Sequence, residues 1–102
     1  LAKENINIAK NQLAGQEMAV GRYYLKRGNP LAALKRFQTV IKEHKSTPFY
    51  QESLYRSLET YLLMGVDSQA LITNKALKKN FPDSKWTLLA YDLLRESGLE
   101  DK

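Results

Sequence analysis

The sequence lacks cysteine and contains a single histidine, His44. Without cysteine, the chain can form neither a disulfide framework nor a thiolate metal site. One histidine is too few for the usual histidine-containing metal clusters, and it argues against a histidine-based catalytic constellation. The sequence also has no glycine-rich phosphate loop and no metal-ligand spacing. These absences predict a protein that is not an enzyme and that uses no cofactor and no metal.

Long apolar segments are missing as well. No run approaches the ~20 apolar residues that a membrane-spanning helix needs. At 102 residues the chain has room for one domain, and its 43% apolar and 26% charged residues are typical of a folded domain. Because the sequence begins with leucine and has no signal-like segment, we expect it to be a processed or truncated part of a longer protein.

The positive charge is concentrated in one stretch of the chain. The net charge of the whole sequence is +5. Residues 20–45 hold seven basic residues and one acidic residue, a net charge of +6, so the remainder has a net charge of −1. One predicted hairpin therefore carries the whole imbalance.

Glycine and proline divide the sequence into five predicted helices, over about 3–27, 30–43, 48–64, 67–79 and 84–97. No segment alternates with a period of two, so the predicted fold class is all-α. Four residues of the types that favour helix N-caps stand at the starts of the later helices: Asn29, Thr47, Asp67 and Ser84. Three glycines suit the left-handed residue that follows a helix: Gly28, Gly65 and Gly98.

Apolar residues at helical spacing predict which side of each helix faces inward. In the first helix these residues are Ile6, Ala9, Leu13, Val20 and Tyr24. In the second and third helices they are Ala33, Phe37, Val40, Ile41, Leu54, Leu58, Tyr61 and Leu62. In the last two helices they are Ala70, Leu71, Leu77, Trp86, Leu89, Ala90, Leu93 and Leu94.

The sequence matches itself at a shift of 37 residues, in pairs that include Tyr24 with Tyr61, Gly28 with Gly65 and Ala33 with Ala70. This pattern resembles the tetratricopeptide repeat, in which small residues let two antiparallel helices approach closely. The resemblance implies helical hairpins stacked as a short right-handed solenoid within a single domain, 1–102. We expect one repeat over about 14–47, a second over about 51–84 and a capping helix over about 84–97. Residues 1–14 are expected to extend the first helix from an upstream repeat.

The second repeat departs from the pattern at two positions. Leu58 stands where a small residue is usual, and Asn74 stands where an aromatic residue is usual. Aromatic residues at helical spacing more often pack a core than form a ligand cage. We therefore expect four of them to pack between hairpins: Tyr24, Phe37, Tyr61 and Trp86.

Two longer stretches resemble the BamD family of outer-membrane assembly lipoproteins. The first is NQLAGQEMAVGRYYLKRG at residues 11–28, followed by LAALKRF at residues 31–37. The second is FPDSKW at residues 81–86, followed by TLLAYDLL at residues 87–94. The resemblance covers nearly the whole chain, and residues 17–28 are its most distinctive part.

The resemblance implies a non-enzymatic scaffold on the periplasmic face of the bacterial outer membrane, attached through a lipid anchor outside this sequence. It implies that the chain is the C-terminal part of such a protein and docks the periplasmic POTRA domain of the barrel protein BamA. Other subunits of the assembly complex are further expected partners, and unfolded outer-membrane proteins are candidate clients.

Arg36 is the main candidate for contact with the POTRA domain. With Ala33 and Phe37 turned inward, Lys35, Arg36 and Lys42 must point away from the core. Arg36 matches the basic position of the motif Leu-Lys-Arg-Phe, and the resemblance implies that this position contacts an acidic residue of the POTRA domain. A guanidinium suits that task because it can hold a carboxylate with two hydrogen bonds. Lys35 is expected to support the contact.

Arg22 and Lys26, on the first helix, are candidates for a second contact. Arg22 falls where tetratricopeptide repeats line their concave groove, and Lys26 is expected on the exposed side of the same helix. Acidic pairs such as Glu52 and Glu59 are routine on surface helices and do not by themselves indicate catalysis.

Two other functions are compatible with the sequence. One is a different tetratricopeptide adaptor that binds another protein. The other is a nucleic-acid-binding helical repeat, since the basic hairpin could neutralise phosphates. However, the basic residues do not alternate with exposed aromatic residues, and no helix-turn-helix spacing is present. We therefore expect no nucleic-acid partner.

Overall fold

A computed structural model describes the backbone of residues 2–99 and the side chains of residues 6–99. This part of the chain forms five α-helices: α1 (Ala2–Lys26), α2 (Pro30–Glu43), α3 (Tyr50–Leu63), α4 (Asp67–Asn80) and α5 (Lys85–Glu96). Residues 2–99 contain no strand. The predicted all-α class is therefore confirmed. The predicted single domain, 1–102, includes residue 1 and residues 100–102, which lie outside the described residues.

The helices pack in chain order as stacked hairpins. α1 packs against α2, α2 against α3, and α3 against α4, while α5 packs against both α3 and α4. The described part extends 48 × 30 × 17 Å, an elongated shape that suits a short stack. The tetratricopeptide-like arrangement predicted from the repeat is confirmed. None of the helices among the described residues combines the length and the hydropathy that crossing a membrane requires.

The repeated sequence pattern produces a repeated turn. Gly28 and Gly65 have φ angles of 75° and 76°, a left-handed conformation that costs glycine little. Beside them, the backbone N–H of Asn29 donates to the carbonyl of Tyr24, and that of Val66 donates to the carbonyl of Tyr61, both at 2.9 Å. Both hairpin turns therefore satisfy the last helical carbonyls in the same way.

Two of the predicted N-caps are correct. The Asn29 side chain accepts a hydrogen bond from the backbone N–H of Ala32 at 3.3 Å, and Pro30 occupies the first turn of α2. The Ser84 hydroxyl accepts a hydrogen bond from the backbone N–H of Trp86 at 3.1 Å. These contacts fix the starts of α2 and α5.

The other two predicted caps are wrong. Phe49 holds the N-cap position of α3 and makes no side-chain cap bond. The Thr47 hydroxyl instead donates to the carbonyl of His44 at 2.7 Å and so stabilises the turn before the helix. Val66 holds the N-cap position of α4, and Asp67 is already in its first turn. An acidic side chain is favourable there because it faces the positive end of the helix dipole.

The core consists of two clusters of buried side chains. The first comprises Met18, Ala33, Phe37 and Val40, and the second comprises Leu54, Tyr55, Leu58, Ala70, Leu77, Ala90 and Leu94. The predicted packing of these aromatic residues into the core is confirmed, but Tyr24 and Phe37 belong to the cluster formed by α1 and α2, within one hairpin. Phe37 is fully buried, Tyr24 packs against the first cluster, and Tyr61 and Trp86 pack against the second.

The predicted inward face of α1 is wrong. Ile6 and Leu13 are 53% and 54% exposed, and Ala9 and Val20 are also exposed, although Tyr24 is half-buried. The side that meets the other helices instead carries Ala14, Met18 and Gly21, which are buried. Small residues give little hydrophobic signal in a sequence, but they allow neighbouring helices to approach closely. In α5, Leu89 was also expected to face inward, and it is 43% exposed.

Gly21 marks the closest approach of α1 to α2. A Cβ atom at this position would lie only 2.8 Å from Cδ1 and 3.0 Å from Cζ of Phe37. The Phe37 ring therefore rests directly on the α1 backbone. This contact sets the position of α2, which carries most of the predicted site residues.

Asn74 is an unusual member of the core. Its side chain is fully buried, and neither amide atom has a hydrogen-bond partner among the described residues. We expect Asn74→Leu to raise the free energy of unfolding by about 1–2 kcal/mol, because leucine has a similar size and removes two unpaired polar atoms. Urea unfolding followed by circular dichroism measures the change.

The exposed Asn80 of the same helix provides a matched control for Asn74. Asn80→Leu should change the free energy of unfolding by no more than about 0.5 kcal/mol. A loss of stability in Asn74→Leu would contradict the prediction and would mean that the buried amide stabilises the fold.

Candidate protein-docking surfaces

The outward side of α2 presents the predicted basic residues. We call Lys35, Arg36 and Lys42 the α2 basic face. All three are exposed, while Phe37 and Val40 on the opposite side are fully buried. Lys35 and Lys42 are seven residues apart and so point in nearly the same direction, whereas Arg36 is turned towards one edge of the helix. The sequence prediction that these side chains point away from the core is correct.

Arg36 contacts a residue of the preceding helix. Its Nη1 atom donates to Oε1 and Oε2 of Glu17 at 3.3 and 3.4 Å. The Arg36 side chain is 44% exposed and the Glu17 side chain is 25% exposed, so the ion pair is not buried between helices. This ion pair joins α1 to α2 at the surface, and the guanidinium remains accessible.

Contacts on two sides hold α2 in place. Phe37 packs against Gly21 of α1. On the side of the next hairpin, the Gln38 amide donates to the hydroxyl of Tyr61 at 3.2 Å. Because α2 is held between α1 and α3, the α2 basic face belongs to a rigid element rather than to a loop.

A second surface lies between the first helices of the two hairpins. An open groove of about 310 Å³ is lined by Arg22, Leu25, Lys26, Arg56, Glu59 and Leu63. We call it the inter-hairpin groove. It contains both of the residues predicted for a second contact, Arg22 and Lys26. It does not include the α2 basic face, so the five predicted site residues form two separate groups.

Charged side chains form a connected network along one wall of this groove. Nη1 of Arg22 donates to Oε1 and Oε2 of Glu52 at 3.0 and 2.9 Å. Nε of Arg56 donates to Oε2 of Glu52 at 3.2 Å, and its Nη1 donates to Oε1 of Glu59 at 3.0 Å. The two arginines and the two glutamates balance in charge. Because Arg22 is bonded to Glu52, it already has an anionic partner within the chain.

Arg56 is the centre of this network. Burial by itself would lower the pKa of Arg56, but hydrogen bonds to Glu59 and Glu52 outweigh it and raise that pKa above its usual value. The guanidinium also lies 5.4 Å from the ring centroid of Tyr55 and 5.9 Å from that of Trp86. These are cation–π distances, and they bring α5 into contact with the network.

Tyr55 and Trp86 form the aromatic side of the network. Their ring centroids are 5.5 Å apart. Burial is the main cause that raises the pKa of the Tyr55 hydroxyl above its usual value, and the nearby negative charge of Glu59 raises it further. The hydroxyl therefore stays neutral at physiological pH. This packing role agrees with the expectation that Trp86 belongs to the core.

Sequence reasoning gave no role at these surfaces to Glu17, Glu52 or Arg56, although it noted Glu52 as a member of an acidic pair. The i, i+4 spacing of Glu52 and Arg56 and the i, i+3 spacing of Arg56 and Glu59 are signals that could have found part of the network. No local signal points to Glu17, because its partner lies 19 positions away. Among the side chains of residues 6–99, no group of three or more His, Cys, Asp or Glu could hold a metal ion.

The fold and these surfaces define a helical-repeat protein of the tetratricopeptide type. Comparison with known families identifies it further. The model of the YfiO family, described as "Outer membrane lipoprotein", matches residues 1–77. The chain belongs to this outer membrane lipoprotein family.

Curated relatives from several bacteria carry the name "Outer membrane protein assembly factor BamD". The protein from Caulobacter vibrioides is 44% identical over 98 residues, which cover 96% of this chain and 32% of that protein. The protein from Rickettsia prowazekii is 41% identical over 90 residues, covering 88% of this chain and 36% of the relative. The protein from Neisseria meningitidis serogroup A is 38% identical over 79 residues, covering 78% and 30%.

The chain thus spans about a third of the length of the curated relatives that it matches. No solved structure matches it.

Proposed function

We propose that the chain is part of an outer-membrane protein assembly factor and that it acts there as a non-enzymatic scaffold. In this proposal, the α2 basic face docks an acidic surface of the periplasmic POTRA domain of BamA. The names of the relatives support the assembly role. The observation that carries the docking proposal is the accessible guanidinium of Arg36 on a rigid, basic helix.

The chemistry of Arg36 suits recognition of a carboxylate. A guanidinium presents donors in a fixed plane, so it can form two parallel hydrogen bonds to one carboxylate. Lys35 and Lys42 place two more positive charges on the same helix. Because residues 20–45 carry a net charge of +6, their field would also speed the approach of an acidic partner, most strongly at low salt.

The inter-hairpin groove is a secondary candidate surface in this proposal. Lys26 is exposed at its edge and has a charge available to a partner. Arg22 would have to share or exchange its carboxylate partner, Glu52, in order to bind an external anion. Lys26 therefore suits a second contact better than Arg22 does.

The proposal also includes the location and the remaining partners. The protein would act on the periplasmic face of the outer membrane and would be held there by a lipid anchor outside this sequence. Other assembly subunits would contact it, and unfolded outer-membrane proteins are candidate clients. The description of the family as outer membrane lipoprotein supports this location.

The docking proposal predicts a large effect of reversing the charge of Arg36. We expect Arg36→Glu in the full chain to weaken binding to purified POTRA domains of BamA roughly tenfold, because it replaces attraction with like-charge repulsion. Isothermal titration calorimetry measures the affinity. Lys75→Glu on α4 is the matched control, because it changes the same charge at an exposed residue on a different helix.

Equal affinity of Arg36→Glu and Lys75→Glu would contradict docking through the α2 basic face. Capture of a different protein by the unmodified chain, with no binding to POTRA domains, would favour another tetratricopeptide adaptor. Binding to random duplex DNA that weakens steeply with salt would favour the nucleic-acid module.

A further inference from the structure

The contact between Arg36 and Glu17 uses one end of the guanidinium. Both oxygens of Glu17 lie near the same atom, Nη1, at 3.3 and 3.4 Å. Among the side chains of residues 6–99 and the backbone of residues 2–99, Nε and Nη2 of Arg36 find no hydrogen-bond partner. The edge formed by Nε and Nη2 is therefore open, and it is one of the edges with which arginine binds a carboxylate through two hydrogen bonds.

Glu17 is the more firmly held of the two side chains. It is 25% exposed, compared with 44% for Arg36. It is adjacent to the fully buried Met18, in a helix of 25 residues. Glu17 is therefore an anchored acceptor, whereas Arg36 has a long side chain whose direction depends on what its tip contacts.

We propose that Glu17 is a positioning residue for Arg36. By holding Nη1, it keeps the guanidinium turned so that the Nε and Nη2 edge faces a partner carboxylate. This inference rests on the proposed docking of an acidic partner through the α2 basic face. It adds that the docking surface spans two helices, with the acceptor on α1 and the donor on α2.

The ion pair between Glu17 and Arg36 is expected to contribute little to the stability of the free chain. Ion pairs between exposed side chains are worth little in folding because water and salt screen them. Binding is different, since ordering a long side chain at an interface carries an entropic cost. If Glu17 already orders the Arg36 side chain in the free protein, less side-chain entropy is lost when the partner binds. The expected benefit is an affinity higher by ~3- to 10-fold.

Comparison of Glu17→Ala with Glu17→Gln in the full chain separates positioning from charge. Both variants remove the negative charge, so any change in repulsion of an acidic partner is the same in each. Glutamine keeps an oxygen that can accept a hydrogen bond from Nη1, and alanine does not. We expect Glu17→Ala to bind purified BamA POTRA domains ~3- to 10-fold more weakly than Glu17→Gln does.

An Arg36→Ala background supplies the matched control. Without the guanidinium, Glu17 has nothing to position, so the difference between the alanine and glutamine variants should vanish. Thermal unfolding of each variant, followed by circular dichroism, measures any purely structural effect. If Glu17 only stabilises the fold, Glu17→Ala should lower the unfolding temperature. The difference in affinity between Glu17→Ala and Glu17→Gln should then not depend on whether Arg36 is present.

Equal affinities of Glu17→Ala and Glu17→Gln would overturn the positioning role. If Arg36→Glu still weakens binding to the POTRA domains in that case, the proposed docking stands and only the role of Glu17 falls. If Arg36→Glu leaves the affinity unchanged, the proposed docking surface falls, and the positioning role falls with it.

Discussion

Gly21→Leu is expected to reduce the free energy of unfolding by about 3 kcal/mol, a large fraction of the stability of a small domain. The reason is steric. Even a single added Cβ would lie 2.8 Å from Cδ1 of Phe37, and because the Phe37 side chain is fully buried, moving the ring away would disturb the packed core. Leucine has a better helix propensity than glycine, which offsets about 1 kcal/mol of the steric cost. The expected loss of about 3 kcal/mol is what remains after this offset. Chemical denaturation measures the net loss.

Alanine substitutions provide the matched control for Gly21. At Gly15, on the same helix, an added Cβ would lie 3.3 Å from Cζ of the half-buried Phe49, which has room to adjust. Gly21→Ala should therefore be less stable than Gly15→Ala, although both changes gain the same helix propensity. Equal stabilities would show that the approach of α1 to α2 is not limited by the Phe37 ring.

A double variant tests the mechanism. Phe37→Ala alone is expected to cost about 3–5 kcal/mol because it leaves a cavity in the core. In Gly21→Leu/Phe37→Ala, the leucine side chain can occupy part of that cavity. The loss in the double variant should therefore be clearly smaller than the sum of the two single losses. Additive losses would mean that the two positions are energetically independent.

The hairpins could be predicted from the sequence because the residues that begin and end each helix act on near neighbours in the chain. Gly28 and Gly65 end helices through left-handed residues, and Asn29 caps α2 with a side chain three residues from its partner. These signals depend on the chemistry of a few neighbouring residues. The cap at Thr47 was predicted wrongly for a related reason: its hydroxyl bonds backwards to His44, an equally local alternative.

The inward face of α1 could not be predicted from hydrophobicity alone. Leu13 and Val20 are the larger apolar residues, but Ala14 and Gly21 are the ones that neighbouring helices cover. Burial of a small residue reflects how closely two helices approach, and that approach depends on the partner side chain. In this protein the partner is Phe37, which lies on a different helix.

The candidate surfaces were predictable only in part, for a similar reason. Helical periodicity is sufficient to place Lys35 and Arg36 on the outside of α2. It does not reveal that Arg36 meets Glu17, or that Arg22 meets a carboxylate 30 positions along the chain. Such pairs are consequences of how the hairpins stack, so they become visible only in three dimensions.

The ion network beside the inter-hairpin groove leads to the second large effect. We expect Glu52→Ala to reduce the free energy of unfolding by about 2–3 kcal/mol. The Glu52 side chain is 11% exposed and accepts hydrogen bonds from both Arg22 and Arg56. Its loss leaves two cations close together without their shared anion. The cost falls below that of a fully buried pair because the two arginine side chains are 37% and 26% exposed and can regain water.

An exposed ion pair in the same chain serves as the matched control for Glu52. Asp92 and Arg95 lie 4.0 Å apart with side chains that are 57% and 62% exposed. Asp92→Ala should therefore change the stability by less than about 0.5 kcal/mol. A double-mutant cycle between Arg22→Ala and Glu52→Ala then isolates the link between the two hairpins, and we expect a coupling energy of about 1 kcal/mol or more. If Glu52→Ala is no more destabilising than Asp92→Ala, or if the coupling energy is near zero, the network does not tie α1 to α3, and the packing of α2 against α3 must hold the two hairpins together.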